Sequence, residues 1–152
     1  MKLLRVGEFG KEKVAALDAN NVIRDLSEHI EDLTPQNFND TTLNKLKSLD
    51  LSKEKEINSS IRIGSFIKDP KNYFCVGKNF FNHIKELNSS TPKNPMIFSK
   101  ANCISGPNDD IIIPKDSKKV DWECEIGVCL KEDTYQIKEN ESEKYIGGYF
   151  LA

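Results

Sequence analysis

Apolar and polar positions along the chain change period three times, and each change marks a different kind of element. Near the amino terminus the runs "KLLRVG", "KVAALDA" and "VIRDL" are short, apolar and separated by turn-formers, with Asn20-Asn21 at the second break. Runs of that length and spacing predict a small antiparallel β-meander. From Ser27 the pattern turns polar and helical: "SEHIEDL" fits a short helical turn, and "DTTLNKLKSLDL" places Leu43, Leu46 and Leu49 at threes after Asp40 as a capping residue. The stretch "SKEKEINSS" has the least core-like composition and marks a loop or boundary near residues 52 to 60.

Beyond it the texture changes again. "NYFCVG" predicts a strand ending in Gly77, and "KNFFNHIKEL" predicts a helix with Phe80, Phe81, Ile84 and Leu87 as its apolar stripe. "NPMIFSK" and "DIIIP" read as strands on either side of the turn-rich "SGPND", and "VDWECEIGVCL" is the longest strand candidate. "IKENESEKY" reads as a helix and "YIGGYFLA" as a final strand. The sum is a mostly β chain with short helices (α+β): a small β/helix domain over residues 1–60, then a β-rich domain over residues 61–152.

Composition narrows the function classes. The 152 residues suit one ordinary domain's worth of core, and 22 basic against 24 acidic residues give a formal charge of −2 with no basic stripe for nucleic acid. A small-molecule ligand or a protein partner fits this balance better. The opening "MKLLRVGEFGKEKV" lacks the apolar core of a signal peptide, and no segment approaches the ~20 apolar residues of a membrane span, so a cytoplasmic location is expected. Cys75, Cys103, Cys124 and Cys129 form no CxxC pair, and along a strand the offset of Cys124 and Cys129 puts them on opposite faces, against zinc; disulfides are not expected in that compartment.

Two constellations could carry chemistry. In "KVDWECEIG", strand geometry puts Trp122, Cys124, Ile126 and Val128 on one face and Glu123 with Glu125 on the other. Adjacent carboxylates repel unless water or a cation separates them; the pair is either a solvated face or two ligands for a hard cation such as Mg²⁺. In "FFNHIKEL", His83 and Glu86 project from one side of a helix, either as a local surface pair or as a base with its orienting carboxylate.

Taken in order, "GKNFFNHIKE", "FSK", "GPNDDIIIP", "DWECEI" and "YIGGY" resemble the fumarylacetoacetate hydrolase family. Bacterial members carry G-x-N-Y/F-x-x-H-x-x-E, F-x-K, G-P-x-D-x-I-x-x-P, D-W-E-x-E-L/I and Y-I/V-x-G-Y in this sequence of motifs. The resemblance covers roughly residues 60 to 152, and "VAALDANNVIRDLS" is a weaker match to the small leading domain of longer members. It implies a mixed β-roll, a homodimer, and Mg²⁺ or Mn²⁺ held by three carboxylates, two of them matched by Glu123 and Glu125. His83 and Glu86 match a dyad that rides on a mobile lid and activates water. The third ligand, an Asp in an N-D-V-S-like segment, falls past Ala152, so an amino-terminal fragment is expected.

The resemblance further implies a 2-oxo or 2,4-diketo acid substrate, with hydrolysis of a carbon–carbon bond in an acylpyruvate-type compound as the leading expectation. Ureidoglycolate lyase-like members and hydrolases of 2,4-diketo-3-deoxy sugar acids look most similar. A lyase, decarboxylase or isomerase acting on a 2-oxo acid is the alternative within the family, and an inactive truncated module is the alternative outside enzymology.

Overall fold

The structure is a computed structural model that describes residues 1–101 and 103–152. Its amino-terminal part is the expected meander. β1 (Lys2–Val6), β2 (Lys13–Leu17) and β3 (Ile23–Asp25) pair antiparallel in sequence order, with Leu4 opposite Ala15 and Ala16 opposite Arg24. Asn21, at φ 60°, takes the left-handed conformation in the β2–β3 turn, which asparagine tolerates better than most residues. A fourth strand, β4 (Glu56–Ile57), pairs with β3, so the polar stretch read as a loop or boundary contributes the sheet's last strand.

β2 is apolar on both sides because the sheet is covered on both sides. Val14 and Ala16 point into one cluster with Leu26, Leu33, Phe38, Leu43, Leu46 and Ile67, while Ala15 joins Val6 and Ile23 in a second. The helix α1 (Asp40–Lys47) lays Leu43 and Leu46 into the first cluster. Its cap is Asn39, whose side chain accepts from the Thr42 amide at 3.1 Å; the expected cap, Asp40, is the first helical residue and binds the Lys131 ammonium at 2.6 Å. A carboxylate in the first turn is still favourable against the helix dipole. Leu46 is fully buried, so Leu46→Ala is expected to cost about 2–5 kcal/mol. A urea titration reads this directly, and a loss below about 1 kcal/mol would show that the first cluster is not a packed core.

The chain forms two compact units, Met1–Lys68 with Ile104–Ala152, and Asp69–Cys103. In the second unit β5 (Phe74–Gly77) pairs antiparallel with β6 (Met96–Ser99), and α2 (Phe81–Glu86) lies between them in sequence, as the strand-then-helix pattern predicts. In the first unit β7 (Ile126–Leu130) pairs antiparallel with β8 (Ile146–Leu151). Three expected elements differ. "DIIIP" forms no strand and leaves Ile111, Ile112 and Ile113 exposed; an apolar run becomes a strand only where another strand satisfies its backbone. "KENESEKY" contains a 3₁₀ segment, Glu139–Tyr145, since its charges offer no apolar stripe to bury. The strand expected from Val120 begins at Ile126, and β8 is the longest strand.

Candidate functional site

α2 presents the first pair of candidates. Of the expected stripe only Ile84 is buried; Phe80, Phe81 and Leu87 remain exposed, because a unit spanning residues 69–103 is too small to enclose several large apolar side chains. His83 and Glu86 sit together, with Nδ1 3.6 Å from Oε2. That distance is a polar contact rather than a hydrogen bond. Their side chains are 57% and 76% exposed, so both reach solvent and could meet a bound molecule. Just before the helix, Lys78 has φ 53° and its ammonium reaches the Ser89 hydroxyl at 2.5 Å.

Glu123 and Glu125, in the first unit, approach β7 from its amino-terminal side. The Glu125 amide donates to the Ala152 carbonyl at 2.8 Å and its carbonyl accepts from the Ala152 amide at 3.0 Å, so the β7–β8 ladder extends by one residue pair to include Glu125. Both side chains are exposed. The strand that follows turns its apolar parity outward. Its apolar residues Ile126, Val128 and Leu130 face outward with Tyr149 and Leu151, whereas Gly127 and Cys129, which share the glutamates' parity, are half-buried. Cys129 packs against the first cluster, and burial pushes its thiol up to about 11. Gly127 has to be glycine because the Phe150 ring covers it: a Cβ there would lie 2.1 Å from a ring carbon. Phe150 in turn packs at a tilt against Phe66, with ring centroids 5.0 Å apart. The segment bearing Glu125 therefore continues directly into a strand fixed to the core.

Among the described residues no three or more His, Cys, Asp or Glu side chains are gathered as a metal-binding group. The donors that the sequence singles out are thus two hard carboxylates at alternate positions of one segment. They match in kind the one or two carboxylates that Mg²⁺ ordinarily takes from protein, the remaining positions going to water and substrate oxygens. All four cysteines are free thiols, Cys75 and Cys129 half-buried and Cys103 and Cys124 exposed. Among the described residues no helix is long and apolar enough to cross a membrane.

One residue set escaped the sequence reading. Arg5, Glu12, Asp32, Arg62 and Asp109 form a connected ion-pair network with Arg5 only 4% exposed. Its only sequence trace was the Asp of "GPND" and an arginine, Arg5, inside an otherwise apolar strand.

Comparison with known proteins places this geometry in context. Residues 72–152 match the family model described as Fumarylacetoacetate (FAA) hydrolase C-terminal. A Burkholderia ambifaria protein named "Putative hydrolase" is 39% identical over 153 residues, covering 100% of this chain and 54% of its own length. A Burkholderia lata protein of the same description is 38% identical with the same coverage. The chain spans about half the length of the curated relatives it matches. Among solved structures, the fumarylacetoacetate hydrolase of psychrophilic Exiguobacterium antarcticum superposes with a TM-score of 0.75 at 22% identity, over 99% of this chain and 54% of that one. A Mycobacterium smegmatis chain titled as a "putative HpcE protein" gives 0.77 at 24% identity, over 99% and 53%. At these identities the two structures show the fold.

Proposed function

This chain belongs to the fumarylacetoacetate hydrolase family, and from that premise we propose that it serves a metal-dependent hydrolase that cleaves a carbon–carbon bond in a 2,4-diketo acid of the acylpyruvate type. The observation that carries the proposal is the presence, in one chain, of two exposed alternate carboxylates and of an exposed imidazole–carboxylate dyad. Residues 61–152 hold all four residues and constitute the catalytic part in this reading, with residues 1–60 as a leading module.

Glu123 and Glu125 would hold the Mg²⁺ or Mn²⁺ ion. When bound, such a cation polarises the substrate's paired oxygens as a Lewis acid. His83 takes a proton from water at a ring nitrogen while the water oxygen adds to the carbonyl remote from the carboxylate. Glu86, 3.6 Å from Nδ1, is placed to orient the ring. As the carbon–carbon bond breaks, its electron pair stays on the 2-oxo acid half as an enolate; that carbon takes the proton that His83 had removed from water, and the other half leaves as a carboxylic acid. Reaction in the open would let solvent compete for every charge, so exclusion of water around His83 is part of the proposal. A cytoplasmic homodimer is the expected setting.

The test is an assay of the active protein against a panel of acylpyruvates and oxaloacetate with Mg²⁺ present, products being identified by mass. Release of pyruvate and the matching carboxylic acid supports hydrolysis. Carbon dioxide from oxaloacetate, without acylpyruvate cleavage, would transfer the protein to the decarboxylases.

A further inference from the structure

The helix that carries the dyad has little of its own to hold it. α2 is six residues long, its amino-terminal cap position is Phe80, which makes no side-chain cap bond, and Ile84 is its one buried residue. So short a helix is marginal in isolation, since its first turn fixes several dihedral angles for one hydrogen bond. His83 and Glu86, three residues apart, share a side only while that helix is formed. Whatever keeps α2 folded therefore bears on the pair.

The backbone closes the carboxyl end. Asn88 takes the left-handed conformation at φ 47°, its amide donates to the Lys85 carbonyl at 3.0 Å, and the Ser89 amide donates to the Ile84 carbonyl at 3.1 Å. These are the two bonds of a Schellman turn, which satisfies carbonyls that the helix end leaves free. A side chain closes the excursion as a whole. β5 ends at Gly77, which pairs with Met96 in the β5–β6 ladder. The next residue, Lys78, donates from its ammonium to the Ser89 hydroxyl at 2.5 Å, and both residues are half-buried. That bond joins the point where the chain leaves the ladder to the residue that completes the closing turn. Lys78 makes it from φ 53°, a backbone conformation that glycine or asparagine adopts more readily. A lysine held there by its surroundings points to a task for its side chain.

We propose that Lys78 is a positioning residue for the dyad: its ammonium, held by the Ser89 hydroxyl, clasps the 78–89 excursion at its base and keeps α2 folded, so that His83 and Glu86 stay on one side. Lys78 acts through the helix. The clasp rests on the geometry of residues 77–89, whereas its consequence for turnover rests on the function proposed above.

The experiment uses the full chain, with residue-resolved amide exchange and Cα chemical shifts measured by NMR. Lys78→Gly suits the backbone conformation and removes the ammonium; Ser89→Ala leaves Lys78 in place and removes its acceptor. In each, the amides of Ile84, Leu87 and Ser89 are expected to exchange about tenfold faster or more, and the helical Cα shifts of His83 and Glu86 to shrink. The Lys100 amide, which donates to the Tyr73 carbonyl at 2.9 Å beside the β5–β6 ladder, should keep its wild-type rate. The double variant should lose no more than either single one, because both remove the same bond. Lys78→Arg, which keeps a cationic donor, should recover most of the protection. Under the proposed function kcat falls in the same order with KM unchanged. Wild-type exchange at Ile84 in both single variants would overturn the clasp, as would losses that add in the double variant or equal acceleration at Lys100. If wild type cleaves no acylpyruvate, the proposed function falls and the clasp is judged on the exchange rates and shifts alone.

Discussion

Replacing Glu123 or Glu125 by Ala is expected to abolish divalent-cation-dependent activity while leaving the circular dichroism spectrum and the thermal midpoint close to wild type. Both side chains are exposed, and exposed substitutions away from caps and strained backbone usually shift stability by about 0.5 kcal/mol or less. The backbone exchange between Glu125 and Ala152 survives the substitution, since it uses main-chain atoms. The loss should therefore be one of chemistry. Each glutamate is half of the carboxylate pair proposed to bind the cation, and removing either one halves the negative charge that the site offers against the cation's reluctance to shed water. Full turnover in either variant would sink the metal assignment.

The second large effect is expected at α2. His83→Ala should lower turnover by about 10²- to 10⁴-fold, the usual worth of a positioned general base, with metal affinity unchanged. The separation of the two readouts is what gives the experiment its force. A base is needed only when water attacks, so binding of the cation should not sense its removal. A collapse of metal affinity in His83→Ala would make the imidazole a ligand instead. Glu86→Gln should follow in the same direction with a smaller loss, because the 3.6 Å contact with Nδ1 orients the imidazole without replacing it.

How far the sequence carried these conclusions differs between elements. The meander was legible because its alternation matches a sheet in which each strand meets the next one along the chain, and local order is what a linear pattern records. The helix over Asp40–Lys47 was legible from Leu43 and Leu46, although its cap is Asn39 rather than Asp40 and it ends before Leu49, which the expected stripe had included. The 52–60 stretch was misread because β4 is two residues long and is recruited by pairing with β3; so short a strand has no pattern of its own. "DIIIP" shows the opposite failure, a strong β pattern that finds no partner strand.

At the candidate site, the residues were legible and their setting was not. The alternation in "DWECEIGVCL" separated the glutamates from the apolar parity correctly, yet the natural inference that the apolar side faces the core is reversed in β7. Cys129 and the Gly127–Phe150 contact decide this, and neither carries a signal in hydropathy: the cysteine is small, and the glycine matters only because a ring from another strand lies on it. The ion-pair network was invisible for a related reason. Its members lie as far apart in sequence as Arg5 and Asp109, and nothing in a charge pattern joins residues that distant until the chain is folded.

The measurement that bears most directly on the central claim is a Mn²⁺ titration of the chain followed by electron paramagnetic resonance, in which bound Mn²⁺ loses the sharp signal of the free ion. Wild type should show weak, saturable loss of the free signal, and the Glu123→Gln/Glu125→Gln double variant should show none. Identical titrations of wild type and double variant would contradict the assignment of these two carboxylates as the cation site.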